Sequence, residues 1–438
     1  MTGGSSAASG GPSGGVRPDT RRRIIGLLRA RGPMSRAELA TGLGVAKSTV
    51  STLVGRLVEE GVLIDQGPAR AGRTGRGGGR TGRRHPSARG RPRSTVTLNP
   101  AMGTAIGLDF GFRHLRAVIA DVSHTVLAQD VVDLGVDYNA DEGLDAAAGT
   151  TARLLETAGR PAAGLLGVGA AVIGPMDLTR GIVTRSSMVP RWDGVAVAEE
   201  LGRRLTRLPH PVPVTVDNDA TCAAYGELLW GAAQGARELL YLKLHSGIGG
   251  AVISGGALRR GARGAAGEFG HVSLDPDGPL CRCGSRGCLE TYAGIPALLA
   301  SLAPMGPDLT IAAVIDRIRS GDPAWARAVS GPGRRIGQAV GMLCNAFNPD
   351  RIVIGGRLAD AGQPLLDEIA SGLRGFSLPL NAEVGLSLGA LGAQASVLGA
   401  VGLVLAHDPA VPESTTADPA GAGPGQRPPE PLPKTVSG

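Results

Sequence analysis

The chain of 438 residues lacks any apolar run that could cross a membrane. No segment reaches the roughly 18 uncharged apolar residues that a membrane-spanning helix needs. Its first residues, MTGGSSAASGGPSGG, also lack the basic and apolar regions of a secretory signal. These absences favour a cytoplasmic protein with no membrane partner, in a compartment where disulfides are rare.

Cysteine is scarce, but it is clustered. Of the 5 cysteines, three lie within eight positions and follow a histidine by ten residues: His271, Cys281, Cys283 and Cys288. One nitrogen and three sulfurs form the closed tetrahedral set of a structural Zn²⁺ site, which leaves no position for a catalytic water. Gly284 and Gly287 would let the short loop wrap around one ion. Free thiols or a redox pair are the less favoured alternatives, and Cys222 and Cys344 are expected to be buried apolar residues.

Acidic residues are few in the first quarter of the chain. Residues 1–100 carry 5 Asp and Glu against 18 Lys and Arg, whereas the other 338 residues carry 33 against 27. A basic module on a mildly acidic body indicates a domain that binds a polyanion.

Residues 19–67 have the pattern of a winged helix-turn-helix. Ser35 and Glu38 form a capping box at the start of one helix, and Gly44 permits a sharp turn. The next helix has an apolar stripe at i, i+3, i+4 spacing, and a strand follows Gly61. A plain helical hairpin is the alternative, but the turn spacing, the strand and the local charge favour binding in the DNA major groove. The polar positions predicted to contact DNA are Lys47, Ser48, Thr49, Ser51, Thr52 and Arg56.

Residues 68–99 are rich in arginine and glycine, with no acidic residue. Two interpretations stay open. The segment is a solvated linker, or it is an extended wing that neutralises phosphates and places Arg89 and Arg91 in a narrow minor groove. Residues 1–18 and 408–438 have no core pattern and are predicted to be disordered tails.

Strands and helices alternate over residues 100–407. Two hairpins, IGLDFGFRHLRAVIADV and LLYLKLHSGIGGAVISGG, begin near residues 105 and 239 and are loosely similar. This similarity indicates an α/β body of two duplicated lobes.

The run H-x9-C-x-C-G-x2-G-C-x-E, from His271 to Glu290, resembles the ROK (repressor, open reading frame, kinase) family. LRRGARGAAGEFGH and VDNDATCAAYGE are also typical of that family. The resemblance covers residues 20 to about 405. It implies the two-lobed actin-like sugar-kinase (ribonuclease H-like) α/β fold, which in the repressor members follows an N-terminal all-α, winged helix-turn-helix domain.

The resemblance also implies a sugar site between the lobes. The positions that match the sugar-binding residues of relatives are Asn218, Asp219, Glu268, His271 and Glu290. His271 would bind zinc through one ring nitrogen and turn the other towards the sugar. In kinase members, which use ATP and Mg²⁺, the residue at Asp219 is the catalytic base.

The phosphate-binding positions are only partly retained. Kinase relatives have D-x-G-G-T-K in the first hairpin, where this chain has D-F-G-F-R-H, so Phe112, Arg113 and His114 depart from the pattern. Met188 stands where relatives commonly have a sugar-binding asparagine. The retained phosphate-binding positions are Asp109, Gly111, Gly247, Gly249 and Gly250.

Three functions follow from these features. The first is a transcriptional regulator, expected to be a repressor, whose sugar or sugar-phosphate ligand changes its DNA affinity. It would bind an inverted-repeat operator as a homodimer or homotetramer. The second is an active sugar kinase with an accessory DNA-binding domain. The third is a regulator that responds to a protein partner. The altered first hairpin favours the first over the second.

Overall fold

A computed structural model describes residues 18–68, 94–184, 189–306 and 308–406. The helices of these residues are α1 Pro18–Arg31, α2 Arg36–Leu43, α3 Lys47–Glu59, α4 Ala140–Thr157, α5 Val197–Arg204, α6 Asp219–Trp230, α7 Leu289–Ala293, α8 Ile295–Ser301, α9 Ile311–Arg319, α10 Pro323–Ala326, α11 Ser330–Phe347, α12 Gln363–Phe376 and α13 Ala395–Ala406. The strands are β1 Met34–Ser35, β2 Leu63–Pro68, β3 Ser94–Leu98, β4 Thr104–Phe110, β5 His114–Asp121, β6 Val126–Asp133, β7 Leu165–Val172, β8 Met176–Asp177, β9 Ile182–Val183, β10 Val214–Asn218, β11 Leu239–Leu244, β12 Ile248–Ser254, β13 Ala257–Arg259, β14 Arg351–Gly355 and β15 Gly385–Leu388.

The N-terminal domain contains helices α1 to α3 and a sheet of order β1-β3-β2. The capping box at the start of α2 is confirmed, because Ser35 Oγ accepts from Glu38 N and the Glu38 carboxylate accepts from Ser35 N. Gly44 has a φ of 65°, which a residue with a side chain rarely adopts, and it turns the chain into α3. The predicted helix–turn–helix is therefore present.

The apolar stripe of α3 faces the core of this domain. Val50, Leu53, Val54 and Leu57 are buried, whereas Val58, predicted with them, is only half-buried. Strands β2 and β3 pair in an antiparallel manner and form the wing. The predictions for Arg89, Arg91, Met188 and most of both tails lie outside the described residues.

The body has two five-stranded sheets of the same design. Their orders are β6-β5-β4-β7-β10 and β13-β12-β11-β14-β15. In the first sheet, β6, β5 and β4 pair in an antiparallel manner, and β7 and β10 lie parallel to β4. In the second sheet, β13, β12 and β11 pair in an antiparallel manner, and β14 and β15 lie parallel to β11. The duplicated two-lobed α/β fold is therefore confirmed.

Helices α6 and α13 lie between the two sheets and pack at backbone contact. A Cβ on Gly169 in β7 would lie 2.0 Å from Ala400 O of α13, and one on Gly399 would lie 1.7 Å from Cys222 O of α6. Only glycine allows the backbones to approach this closely. Strand β7 and helices α13 and α6 therefore cannot slide past one another without clashes. Among the described residues, no helix combines the length and the apolarity that a membrane span requires.

Candidate functional site

A cleft of about 790 Å³ opens between the lobes. The carboxyl ends of strands β4, β10, β11 and β14 lead into it, as is usual for ligand sites of α/β sheets. All five predicted sugar-binding residues line this cleft. Their positions make it the candidate ligand site.

Asn218 ends β10 and caps α6. Its side-chain oxygen accepts from Ala220 N at 2.8 Å and Thr221 N at 3.2 Å, and its Nδ2 donates to Gly174 O at 2.9 Å. An amide offers two donor hydrogens and two acceptor positions, so one N–H remains for a ligand. Asn218 therefore orients Asp219 as much as it offers contacts of its own.

Asp219 is held by a lysine that the sequence analysis did not identify. Lys243 Nζ in β11 lies 2.6 Å from Asp219 Oδ2 and 2.8 Å from Ser396 Oγ at the start of α13. Burial alone would lower the pKa of Lys243, but the carboxylates of Asp219 and Asp109 outweigh it and raise that pKa. The lysine is therefore charged and forms a mostly buried ion pair with the candidate base.

Among the three predicted sugar-binding carboxylates, Glu268 is the one without a cationic partner in the part of the chain that the structure describes. Burial, together with the charges of Asp219 and Glu290, raises its pKa to about 7. No cation among the described residues forms an ion pair with it. A ligand that donates hydrogen bonds to this carboxyl would relieve the cost of its burial.

Glu290 already has several partners. Arg282 donates to it through Nε at 3.0 Å and Nη2 at 2.6 Å, and Cys281 Sγ lies 3.2 Å from its Oε1. Burial alone would raise the pKa of Glu290, but these hydrogen bonds and the arginine charge lower it. A sugar hydroxyl therefore reaches Glu290 only by sharing it with Arg282 or displacing that side chain.

The predicted metal ligands converge. The ligand atoms of His271, Cys281, Cys283 and Cys288 all lie within 4.8 Å of one another. Cys283 Sγ and Cys288 Sγ are 3.7 Å apart, and His271 Nδ1 is 3.6 Å from Cys281 Sγ. Zn–S bonds of about 2.3 Å in a tetrahedron give an S···S edge of about 3.8 Å, close to the separation of these two sulfurs, so the group fits a metal ion of that size.

The loop that carries the candidate metal ligands, residues 271–290, depends on its glycines for its turns, as predicted. Gly284 and Gly287 have φ values of 91° and 63°. A Cβ on Gly287 would also lie 1.8 Å from Asp275 O. Cys222 and Cys344 are buried and lie apart from the loop, as expected.

Side chains fill the hairpin of β4 and β5, whose Asp109 and Gly111 are predicted phosphate-binding positions. A Cβ on Gly111 would lie 2.4 Å from the His114 ring, and Arg116 Nη1 lies 3.7 Å from Asp109 Oδ2. Burial raises the pKa of Asp109 and lowers that of His114. The histidine ring thus covers the glycine that would let a phosphate approach the backbone.

The other glycines predicted to bind phosphate differ in whether they line the cleft. Gly247 and Gly249 line the cleft, although a Cβ on Gly249 would lie 2.8 Å from Ala220 Cβ. Gly250 does not line it, and packs against the Phe269 ring at 2.3 Å from its ideal Cβ. Gly250 therefore serves packing in β12.

The six polar residues predicted on α3 are all exposed. Thr52 Oγ1 donates to Ser48 O at 3.1 Å, which leaves the hydroxyl an acceptor for DNA. The first turn of α3 has no side-chain cap at Ala46 and no acidic residue. Its N–H groups and the positive end of the helix dipole therefore face solvent, which suits contact with phosphate.

Lys243 and Arg282 are the site residues that the sequence analysis missed. Lys243 had a detectable signal, since a single charge interrupts the apolar strand LLYLKL. Arg282 lies between two predicted metal ligands, where nothing local distinguishes it from a solvated side chain.

Two family profiles match the chain. One described as "ROK family" matches residues 105–407, and one described as "Winged helix-turn-helix DNA-binding" matches residues 17–64. A relative called "Xylose repressor", from Bacillus spizizenii, is 27% identical over 394 residues, which is 90% of this chain and 96% of that one.

Solved structures show the same architecture. A ROK family glucokinase from Streptomyces griseus, in complex with glucose and AMPPNP, is 29% identical with a TM-score of 0.60 and covers 69% of this chain and 99% of its own. A ROK family transcriptional regulator, a homolog of the E. coli MLC protein, is 22% identical with a TM-score of 0.68. It covers 89% of this chain and 96% of its own, and shares the fold.

Proposed function

The chain belongs to the ROK family, and we propose that it is a sugar-responsive transcriptional repressor. The observation that carries the proposal is the pairing of an exposed recognition helix, α3, with a polar interlobe cleft on one chain. The xylose repressor is similar over both parts, whereas the glucokinase is similar over the body alone. A DNA-binding domain with a ligand cleft is what a ligand-controlled regulator requires.

The kinase alternative is less favoured for a physical reason. Phosphoryl transfer needs a free base and a backbone cradle for phosphate. In this cleft Lys243 pairs with Asp219, and the His114 ring covers Gly111. ATP hydrolysis that depends on a sugar and disappears in Asp219→Asn would reverse this ranking.

We propose that the sugar contacts Asn218, Asp219, Glu268, His271 and Glu290. Sugar hydroxyls both donate and accept, so carboxylates and one amide N–H can fix their orientation. Relatives that are named for xylose and glucose make D-xylose and D-glucose the first compounds to test.

We propose Zn²⁺ as the structural metal at His271, Cys281, Cys283 and Cys288. The ion would close the loop that carries Arg282 and precedes Glu290, and it would hold the His271 ring at the edge of the cleft. Thiolate ligands persist in a reducing compartment, in keeping with a cytoplasmic location.

We propose that the protein binds an inverted-repeat operator as a homodimer or a homotetramer. Lys47, Ser48 and Thr49 at the start of α3 would contact bases, and Arg56 would contact phosphate. Sugar would draw the lobes together around Asp219 and Glu268 and shift the DNA-binding domains away from the half-site spacing.

Selection of bound DNA from a random pool, with and without D-xylose or D-glucose, tests the proposal. We expect a palindromic sequence whose retention falls when an active sugar is present. A palindrome that no sugar affects would favour a regulator controlled by a protein partner. No selected sequence at low salt would contradict DNA binding itself.

A further inference from the structure

The DNA-binding domain is joined to the body through α1. Arg29 Nη1 of α1 donates to Leu405 O, in the last turn of α13, at 3.0 Å. Ile24 and Leu28 of α1 belong to the same apolar cluster as Val401 of α13. The end of α13 therefore supports the helix that precedes the helix–turn–helix.

A histidine and a tryptophan complete this contact. His124 lies in the turn after β5 with a φ of 70°, and its ring centroid is 4.4 Å from that of Trp230, the last residue of α6. Burial, with the charge of Arg29 as a second cause, lowers the pKa of His124 to about 3, so the ring is neutral. Trp230 packs against the same apolar cluster as α1.

The polar atoms of the two rings take no part in hydrogen bonds of the described residues. Within the described residues, neither ring nitrogen of His124 nor Nε1 of Trp230 has a hydrogen-bond partner, although all three atoms are buried. The two rings pack against each other, and nearby Arg29 donates to Leu405 O. Such a contact can rearrange without the cost of breaking many buried hydrogen bonds.

The opposite ends of α6 and α13 lie in the ligand cleft. Asp219 begins α6, and Ser396 in the first turn of α13 donates to Asp219 O at 3.0 Å and accepts from Lys243. The two helices touch at Gly399 and Cys222, so neither can move far alone. Each is 12 residues long, or about 18 Å at 1.5 Å per residue.

We propose that Arg29 and Trp230 are positioning residues that transmit occupancy of the cleft to the DNA-binding domain through α13 and α6. The inference rests on the proposed function, because it concerns the same cleft and the same DNA affinity. A ligand that engages Asp219 acts on the first residue of α6. The backbone contact with α13 makes both helices respond together, and their last turns carry the displacement to α1.

The test measures coupling and not affinity alone. The operator Kd is determined with and without saturating D-xylose or D-glucose, whichever acts on the wild type, for wild type, Arg29→Met and Trp230→Leu. We expect a change of about 5- to 150-fold for wild type, the usual range of allosteric coupling. Both variants should show less than about a twofold change while their separate affinities for sugar and for DNA persist. A purely structural role would lower stability and leave the ratio intact.

Matched controls exist for both variants. Arg23 of α1 donates to Leu43 O within the DNA-binding domain at 2.9 Å, and Trp325 is buried in the second lobe. Arg23→Met and Trp325→Leu should keep the wild-type ratio. If Trp230→Leu does not fold, Arg29→Met decides. Wild-type coupling in Arg29→Met, or coupling lost equally in the controls, overturns the inference, whereas a wild type without any sugar effect overturns the proposed function instead.

Discussion

Replacing Lys243 by methionine tests the charge arrangement of the cleft. The lysine side chain is 18% exposed and that of Asp219 is 17% exposed, so the pair is largely shielded from solvent. Two unit charges about 4 Å apart interact by about 4 kcal/mol at an effective dielectric of 20. Removal of one partner from a buried pair typically costs about 3–5 kcal/mol. We expect Lys243→Met to destabilise the folded body by that amount at pH 8.

The loss of stability in Lys243→Met should be smaller at acidic pH. Asp109 already has a raised pKa, because burial and Asp219 raise it more than Lys243 and its other neighbours lower it. Without Lys243 that pKa rises further, so the folded state takes up a proton more readily than the unfolded chain. The stability that results from this proton uptake is fully present below the ordinary pKa of Asp. It disappears as the pH rises through the pKa of Asp109 in the folded state. The variant should therefore be less impaired at pH 5 than at pH 8.

Urea unfolding at pH 5 and pH 8 measures this difference. A tenfold rise in the proton affinity of Asp109 makes the penalty smaller at the lower pH by up to about 1.4 kcal/mol. Lys47→Met removes an exposed lysine of α3 and should change stability by less than about 0.5 kcal/mol. An equal penalty at both pH values, or a penalty no larger than that of the control, would refute the reasoning about Lys243.

The remaining predictions concern the metal, the DNA, the ligand and the packing. We expect metal analysis to find roughly one zinc per chain in wild type and none in Cys288→Ser; unchanged zinc content would contradict the site. Arg56→Met should weaken binding to all duplexes and reduce the slope of log K against log salt by about 1, seen in DNA titrations at several salt concentrations. Sugar affinity measured by calorimetry should rise from pH 6 to pH 8 as Glu268, whose pKa is about 7, ionises and becomes a better acceptor, and it should be flat in Glu268→Gln. Gly399→Ala should lower stability by about 1–3 kcal/mol because its Cβ meets backbone at 1.7 Å, whereas Gly149→Ala in α4 has only a 3.6 Å contact and should not.

Local features of the fold could be predicted from the sequence because their causes are local. The capping box of Ser35 and Glu38 needs only residues three apart, and the turn at Gly44 needs only the absence of a Cβ. The convergence of the four candidate metal ligands could also be anticipated, since their identity and spacing within 18 residues are local features and their ligand atoms lie within 4.8 Å of one another. The similarity of the two hairpins indicated two lobes before the sheets were known.

The pairing of charges across the cleft could not be predicted in the same way. Lys243 meets Asp219 only because β11 and α6 come together in the folded body. Arg282 meets Glu290 because the loop with the candidate metal ligands folds back on α7. Each pair joins residues on different elements. The local spacing that indicated the candidate metal ligands therefore carried no information about these two ion pairs.

These pairings bear on what the cleft can do. A kinase needs Asp219 to accept a proton at the moment of transfer, and a cation 2.6 Å away opposes that step because it stabilises the carboxylate. A sensor has no such requirement, since it needs only different contacts in the occupied and empty states. With Lys243 on Asp219 and Arg282 on Glu290, the carboxyl of Glu268 is the one of these three whose contacts can change most easily when a ligand enters. Ligand binding should therefore be more sensitive to Glu268 than to Glu290, and the reverse order in a comparison of their Gln variants would contradict this view of the cleft.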